Sequence, residues 1–359
     1  MDSSRALGTA LHDGWFVVIR HMPAPDLEQI PTELRSEADR LLALTRAHFP
    51  AHDLDGYGDV EDFFEEAYRL DAALASFTPE LVWIVNGSTF KTARHVTTGE
   101  QVPPTAVDHL PRYGMQHSRD VWFITHLLER MAGRYDRLSA FVANAGRELL
   151  SAGVFDDPSV GTHLNQGIAD MANRHGGEVM VKVMPRAKFL PLAHMRFDLP
   201  VTDRAARDAV TEHLEWAPVH FDGDVDAFLL QQVVTMRYEY RIFVVDHQVV
   251  TGAGSIEEHT PLNNTAPFDP QLREHRDARS PVIVDEAIRN TLVAFAAGVA
   301  ADIAAEQPDL CDYVIDVALG ADDRPLVIEL NGYLNAGLFA SQPRLVTKAL
   351  EATRARDSR

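Results

Sequence analysis

Two carboxylates and an amide near the C-terminus can act together. Asp316 lies in the apolar run Tyr313-Val-Ile-Asp-Val-Ala-Leu319, and Glu329 and Asn331 lie in the run Leu326-Val-Ile-Glu-Leu-Asn331. Between them, Gly320-Ala-Asp-Asp-Arg-Pro325 carries the Gly, Asp and Pro punctuation of a turn joining two strands. Folding the runs back about Asp322-Asp323 puts Asp316 directly opposite Glu329. Opposed side chains in an antiparallel pair have Cβ atoms about 4.5–5.5 Å apart. Alternation along the strand then turns Asn331 to the same face as Glu329. Facing carboxylates repel unless a cation sits between them, and a small set of oxygen donors suits Mg²⁺ that also holds phosphate. The bland alternative is a carboxylate on the wet side of a half-exposed hairpin.

Other residues add cationic and polar chemistry. Lys182 interrupts the apolar run Glu178-Val-Met-Val-Lys-Val-Met184, where burial of an ammonium is costly unless an anion meets it; snorkelling to the sheet edge is the competing reading. Glu239 and Arg241, two residues apart in Tyr238-Glu-Tyr-Arg-Ile-Phe-Val-Val245, share a strand face. A plain ion pair accounts for them equally well. Gln231 to Thr235 end the preceding run, where backbone groups could offer a carbonyl and an amide to an adenine edge. Arg273, Arg276 and Arg279 sit in a polar stretch over 252–281, as carboxylate anchors or as a solvated loop.

The elements that must position these groups follow from periodicity. Trp15-Phe-Val-Val-Ile19 and Leu81-Val-Trp-Ile-Val85 read as buried strands flanking a helix over 31–48, a small α/β lobe. Residues 97–115, with Pro103, Pro104 and Pro111, read as a loop or domain junction. Helical spacing marks 118–150 and 284–304. Phe189 to Phe197 is the candidate partner of the lysine strand. The runs 228–234, 238–245 and 248–251 read as a consecutive antiparallel meander.

Composition narrows the function. With 33 Lys plus Arg against 53 Asp plus Glu, the 359-residue chain carries a net charge of −20 and repels nucleic acid and anionic membranes. Phosphate chemistry must then rely on a local cationic pocket. A single cysteine, Cys311, excludes an internal disulfide and a zinc site built from several thiolates. No apolar span and no secretory segment is expected, and the chain reads as cytoplasmic. No Gly-x-Gly-x-x-Gly follows a strand, which argues against a dinucleotide-binding reductase.

Taken in order, these residues resemble the ATP-grasp superfamily over about residues 118–345. The Glu239-Tyr-Arg241 pattern resembles in particular the branch containing the ribosomal-protein glutamate ligases and their less characterised relatives. The resemblance implies an α+β, ATP-grasp fold: an N-terminal α/β lobe over 1–117, then two α+β subdomains, 118–225 and 226–359, clamping ATP between antiparallel sheets. It implies Lys182 on the inner phosphates, Gln232, Val233, Val234 and Thr235 as the adenine hinge, and Glu239 on the ribose. Asp316, Glu329 and Asn331 would hold Mg²⁺, two ions by the family pattern, and Arg241 would stabilise the transferring phosphoryl group. The N-terminal phosphate lysine of the family has no evident counterpart; Arg119 is the candidate substitute and Lys91 a weaker one. Pro185-Arg-Ala-Lys-Phe189 stands where a glycine-rich loop is usual, and Asn331-Gly-Tyr-Leu-Asn335-Ala-Gly337 replaces the family's Asn-x-x-Pro-Gly. The implied activity is ATP-dependent amide formation between a small-molecule carboxylate and an amine, an amino acid or short peptide, through an acyl phosphate. The alternatives are a small-molecule kinase on the same fold and a nucleotide-binding protein without catalysis. No nucleic acid or membrane partner is expected, and a homodimer is compatible with the resemblance.

Overall fold

Five consecutive buried residues form β1 (Trp15–Ile19), as expected of a parallel strand covered on both faces. A computed structural model describes this strand among residues 12–20, 28, 30–49, 60–87, 91–114, 138–153, 163–184, 193–214, 227–264, 266–333 and 336–357. Two helices follow it, α1 (Arg35–His48) and α2 (Val60–Ser76). β2 (Val82–Asn86) then returns parallel to β1, and β3 (Ala93–His95) and β4 (Gln101–Val102) extend the sheet outward. β5 (Arg112–Gly114) pairs parallel on the other side of β1. The described part of the stretch 97–115, residues 97–114, therefore belongs to the first lobe and is not a junction. Gly114 explains the tight fit: at φ 117° a Cβ would lie 1.8 Å from the Val18 carbonyl oxygen. The sequence reading omits α2, although Phe63, Phe64, Ala67 and Leu70 recur at helical spacing and are all buried.

The second sheet is wholly antiparallel. It follows the short α3 (Ser139–Asn144) and comprises β6 (Leu149–Gly153), β7 (Glu178–Met184), β8 (Ala193–Arg196) and β9 (Ala227–Gln231), in the order β6-β9-β7-β8. Its covering helices are α4 (Leu164–Arg174) and α5 (Asp203–Leu214). Ile168, Met171, Val179, Val181, Phe228 and Leu230 form the core between them. β9 comes from beyond the boundary expected at 225/226. The helix expected over 118–150 is corrected within its described part. Gly146, at φ 62°, follows α3, and 149–153 pair with β9 as a strand.

The third sheet holds β10 (Met236–Val245), β11 (Gln248–Gly254), β14 (Tyr313–Gly320) and β15 (Pro325–Gly332), ordered β11-β10-β14-β15. β9 does not join β10, so the three-strand meander is wrong: residues 232–235 carry the chain from one sheet to the other. The polar stretch after β11 is partly ordered into a hairpin of β12 (Gln271–Arg273) and β13 (Val282–Val284). Asp285 caps α6 (Glu286–Glu306), its carboxylate accepting the Ala287 and Ile288 amides at 2.9 Å, which sets the helix start two residues later than expected.

Leu292, Ala296, Val299, Ala300 and Ile303 of α6 bury against Tyr240, Ile242, Ile315 and Val317 on one sheet face. At 21 residues, α6 is long and apolar enough by composition to cross a membrane, contrary to the expectation of no such span; its alanines supply much of that hydropathy. Phe243, Val245 and Val314 on the other face share a core with Trp15, Phe77 and Tyr113 of the first lobe. α7 (Pro343–Asp357) closes that side, with Arg344 bonded to Asp71 of α2 at 2.6 Å.

Candidate active site

The register of β10, β14 and β15 lines three charges up in a row. Arg241 lies opposite Asp316, and Asp316 opposite Glu329, as the turn in the sequence requires. The pairing shifts by one residue beyond Asp316, leaving Val317 opposite Val327, so the expected register holds only on the triad's side of the hairpin. Arg241 grips Asp316 in a fork: Nε and Nη2 donate to the two carboxylate oxygens at 2.8 Å each. Asn331 Nδ2 bridges the two carboxylates, donating to Asp316 and to Glu329 at 2.9 Å. Lys182 reaches across from the second sheet, and its Nζ donates to Glu329 at 3.0 Å. Asp316 is 1% exposed and Lys182 6%.

The repulsion inferred between facing carboxylates is thus relieved by two protein cations, Arg241 and Lys182. Two carboxylates and one side-chain amide still form an oxygen donor set of the kind hard divalent cations take. A half-turn of the Asn331 amide exchanges its Nδ2 for Oδ1 at the same place. The residues present therefore fit Mg²⁺.

Glu239 belongs to the same cluster. Its carboxylate accepts the Ser255 hydroxyl at 3.0 Å and lies 3.6 Å from Arg276 Nη1. Burial raises its pKa, and the neighbouring Asp316 charge raises it further. Burial works against the Arg241 charge, but Asp316, together with Glu329 and Glu239, more than offsets this and the net shift is upward. Arg241 Nη1 also donates to the Gly337 carbonyl at 3.2 Å, and its guanidinium carbon lies 4.8 Å from the centre of the Phe339 ring.

Around the expected hinge, the strand ends at Gln231 rather than Val234. The Gln232 amide donates to the Glu148 carbonyl at 2.9 Å, and its side chain accepts the Glu148 amide at 3.0 Å. Val234 and Thr235 line a cavity of about 480 Å³ with Gly146 and the β14–β15 turn. Gln231 shares a sheet face with Lys182, because their cross-strand partners alternate two residues apart. Its Oε1 accepts from Arg147 at 2.9 Å, while its buried Nε2 has no hydrogen-bond partner among the described residues. Arg147 also donates to the Val327 and Ile328 carbonyls at 2.8 and 2.6 Å, tying the second sheet to the edge of β15. The sequence reading missed Arg147; only its place after Ala145-Gly146, at a break in helical spacing, signals it.

Other candidates lie apart from this cluster or outside the described residues. Arg119 and residues 185–189 lie outside them, and Lys91 is exposed. Among the three candidate anchor arginines, Arg273 is buried and paired with Glu258, and Arg279 turns back on Asp277 at 2.7 Å. Arg276 alone approaches the cluster, bonding Glu257 at 3.2 Å as it faces Glu239.

Residues 200–349 match a family model described as an "ATP-grasp domain", the second family of its clade. This stretch therefore resembles an ATP-grasp domain, and the chain as a whole combines helices with antiparallel sheets in an α+β fold. No curated protein matches it. Among solved structures it resembles D-cycloserine synthetase DcsG (15% identity, 95% of this chain and 99% of that chain, TM-score 0.47). It also resembles a D-alanine–D-alanine ligase from Bacillus anthracis complexed with ATP (9% identity, 96% and 99%, TM-score 0.45). The D-alanine–D-alanine ligase from Coxiella burnetii is similar over 69% of this chain, which spans 63% of that one (14% identity, TM-score 0.37).

Proposed function

We propose that the chain is an ADP-forming ligase that joins a carboxylate to an amine on an amino acid or short peptide. The observation that carries this is the contact between the two sheets. Lys182 on β7 meets Glu329 on β15 at 3.0 Å, in line with Asp316 and Arg241. A cleft between two antiparallel sheets, lined by cations and oxygen donors, suits the tail of a nucleoside triphosphate. The substrate carboxylate attacks the γ-phosphorus of ATP, ADP leaves, and the amine displaces phosphate from the acyl phosphate to give the amide. Phosphoryl transfer spreads negative charge over three oxygens and asks of the protein chiefly positioning and charge neutralisation.

In this reading Lys182 holds the inner phosphates as a point charge, exchanging Glu329 for phosphate oxygen. Arg241 faces the transferring group and later the tetrahedral oxyanion, kept aimed by Asp316 and the Gly337 carbonyl. Asp316, Glu329 and Asn331 would hold Mg²⁺, which neutralises phosphate charge when bound. Gln232 to Thr235 carry the adenine and Glu239 the ribose. The Gln232 amide is already engaged by the Glu148 carbonyl, so the backbone amide for the adenine edge would come from Val233, Val234 or Thr235. Arg119, outside the described residues, is the candidate substitute for the N-terminal phosphate lysine.

A screen of carboxylate and amine pairs for ADP release with Mg²⁺, using Glu329→Gln as the blank, tests the proposal. Sustained ADP formation that needs both substrates and is lost in the variant is the expected result. ADP formed with one acceptor alone, without amide product, would make the protein a kinase.

A further inference from the structure

The segment after the triad is held from the first lobe. Glu65, on α2, accepts the Phe339 amide at 2.7 Å, and the Leu338 amide also faces its carboxylate. One turn along the same helix, Arg69 donates to the Ala336 carbonyl at 2.8 Å and lies 3.7 Å from Glu65. Between these anchors sits Gly337, whose carbonyl accepts from Arg241. A Cβ on Gly337 would lie 3.5 Å from both Glu65 oxygens and 3.6 Å from Arg241 Nη1, so one peptide separates the two charged groups. Phe339, whose ring lies against the Arg241 guanidinium, has φ 47°, a region an L side chain enters only when held. The far end of the segment is tied to the chain after β11, through Asn264 to the Ala340 carbonyl at 2.7 Å, and to β11 itself, through the Gln342 amide to Thr251 at 2.9 Å.

We infer that Glu65 is a positioning residue for Arg241, acting through the 336–339 segment that it anchors to the first lobe. Its hydrogen bonds go to that segment and not to Asp316 or the nucleotide cleft. It fixes the carbonyl that accepts from Arg241 Nη1 and the ring that lies against the guanidinium. The first lobe thereby sets the aim of a group that belongs to the third sheet. Burial raises the Glu65 pKa, and Arg69 and the two amides oppose that rise, which is the balance expected of a carboxylate kept for its hydrogen bonds. The kinetic part of the inference rests on the ligase reading; the structural part does not.

The test compares Glu65→Gln, Glu65→Asp and Glu65→Ala by steady-state kinetics and by amide hydrogen exchange at Leu338 and Phe339. The glutamine keeps an acceptor oxygen at the same reach, and kcat is expected within about threefold of wild type. Aspartate withdraws the carboxylate by one methylene while keeping its charge beside Arg69, so it guards against a misfolded alanine variant. Aspartate and alanine are each expected to speed exchange at both amides at least about tenfold and to lower kcat by about 10- to 100-fold, the scale of a small misplacement near the chemistry. KM for ATP should stay within about twofold. Unchanged exchange in folded Glu65→Asp refutes the anchor, and faster exchange with wild-type kcat refutes the positioning role. If the wild-type chain forms no ADP with any pair, the ligase reading falls, and the anchor is then decided by exchange alone.

Discussion

Arg241 and Asp316 are bound so closely that the obvious test of Arg241 would mislead. Removing the guanidinium leaves a carboxylate 1% exposed without its main partner, and breaking one side of a buried pair costs about 3–5 kcal/mol. Arg241→Ala is therefore expected to lose stability as well as activity. Arg241→Lys keeps the charge but not the fork, since an ammonium cannot span both carboxylate oxygens and the Gly337 carbonyl. It should stay folded and lose about 10²–10³ in kcat, the usual effect of removing one preorganised charge from a transition state. A lysine variant with wild-type turnover would refute a role for the Arg241 fork in the chemistry.

At this scale the sequence is legible where spacing alone sets a face. Asp316 opposite Glu329 follows from one turn and two apolar runs. Arg147 and Glu65 carry no such signal, because each acts through a partner more than 80 residues away, and no local spacing encodes such a contact.

Elements are legible when their hydrophobic period is clean and their ends are marked. β1 and β7 fall where the apolar runs put them, and the Asp285 cap sets the start of α6. Strand partners are the harder inference. β9 reads like the first strand of a meander, yet it crosses to the other sheet, because four residues at 232–235 suffice to change layers and nothing in them encodes which.

One element carries a cost that pH can reveal. Asp269, between β11 and β12, accepts only two 3.3 Å bonds from Gln271, and its Oδ2 is buried with no hydrogen-bond partner among the described residues. Burial raises its pKa to about 6 from 3.8. A carboxyl raised in the folded state contributes stability in full below its unfolded pKa and loses it as pH rises through the folded value. Asp269→Asn removes that titration while keeping an acceptor for Gln271. Between about pH 4 and pH 7 the stability difference should move toward the variant by roughly 2–3 kcal/mol, as measured by urea unfolding at each pH. A difference that does not change with pH would mean the carboxylate finds solvent.

The whole molecule presents nucleotide with an opposing field. A net charge of −20 surrounds a cluster in which Asp316, Glu329 and Glu239 are matched by Arg241, Lys182 and, 3.6 Å from Glu239, Arg276. None of these cations is spare, since each already faces a carboxylate, so ATP brought in alone would meet no uncompensated positive charge at short range and an anionic field at long range. If the proposed function holds, binding should then require a divalent cation, with affinity falling at least about 100-fold when EDTA replaces Mg²⁺. The long-range part can be separated from the short. Screening acts over about 10 Å at 0.1 M salt and hardly reaches buried pairs. Added salt should therefore weaken the outer repulsion while leaving the cluster intact. With Mg²⁺ held saturating, the association rate of ATP in stopped flow should rise several-fold between about 20 and 200 mM NaCl, with little change in the dissociation rate. An association rate that falls with salt would require a cationic approach to the cleft, the reverse of the field inferred from the charge balance.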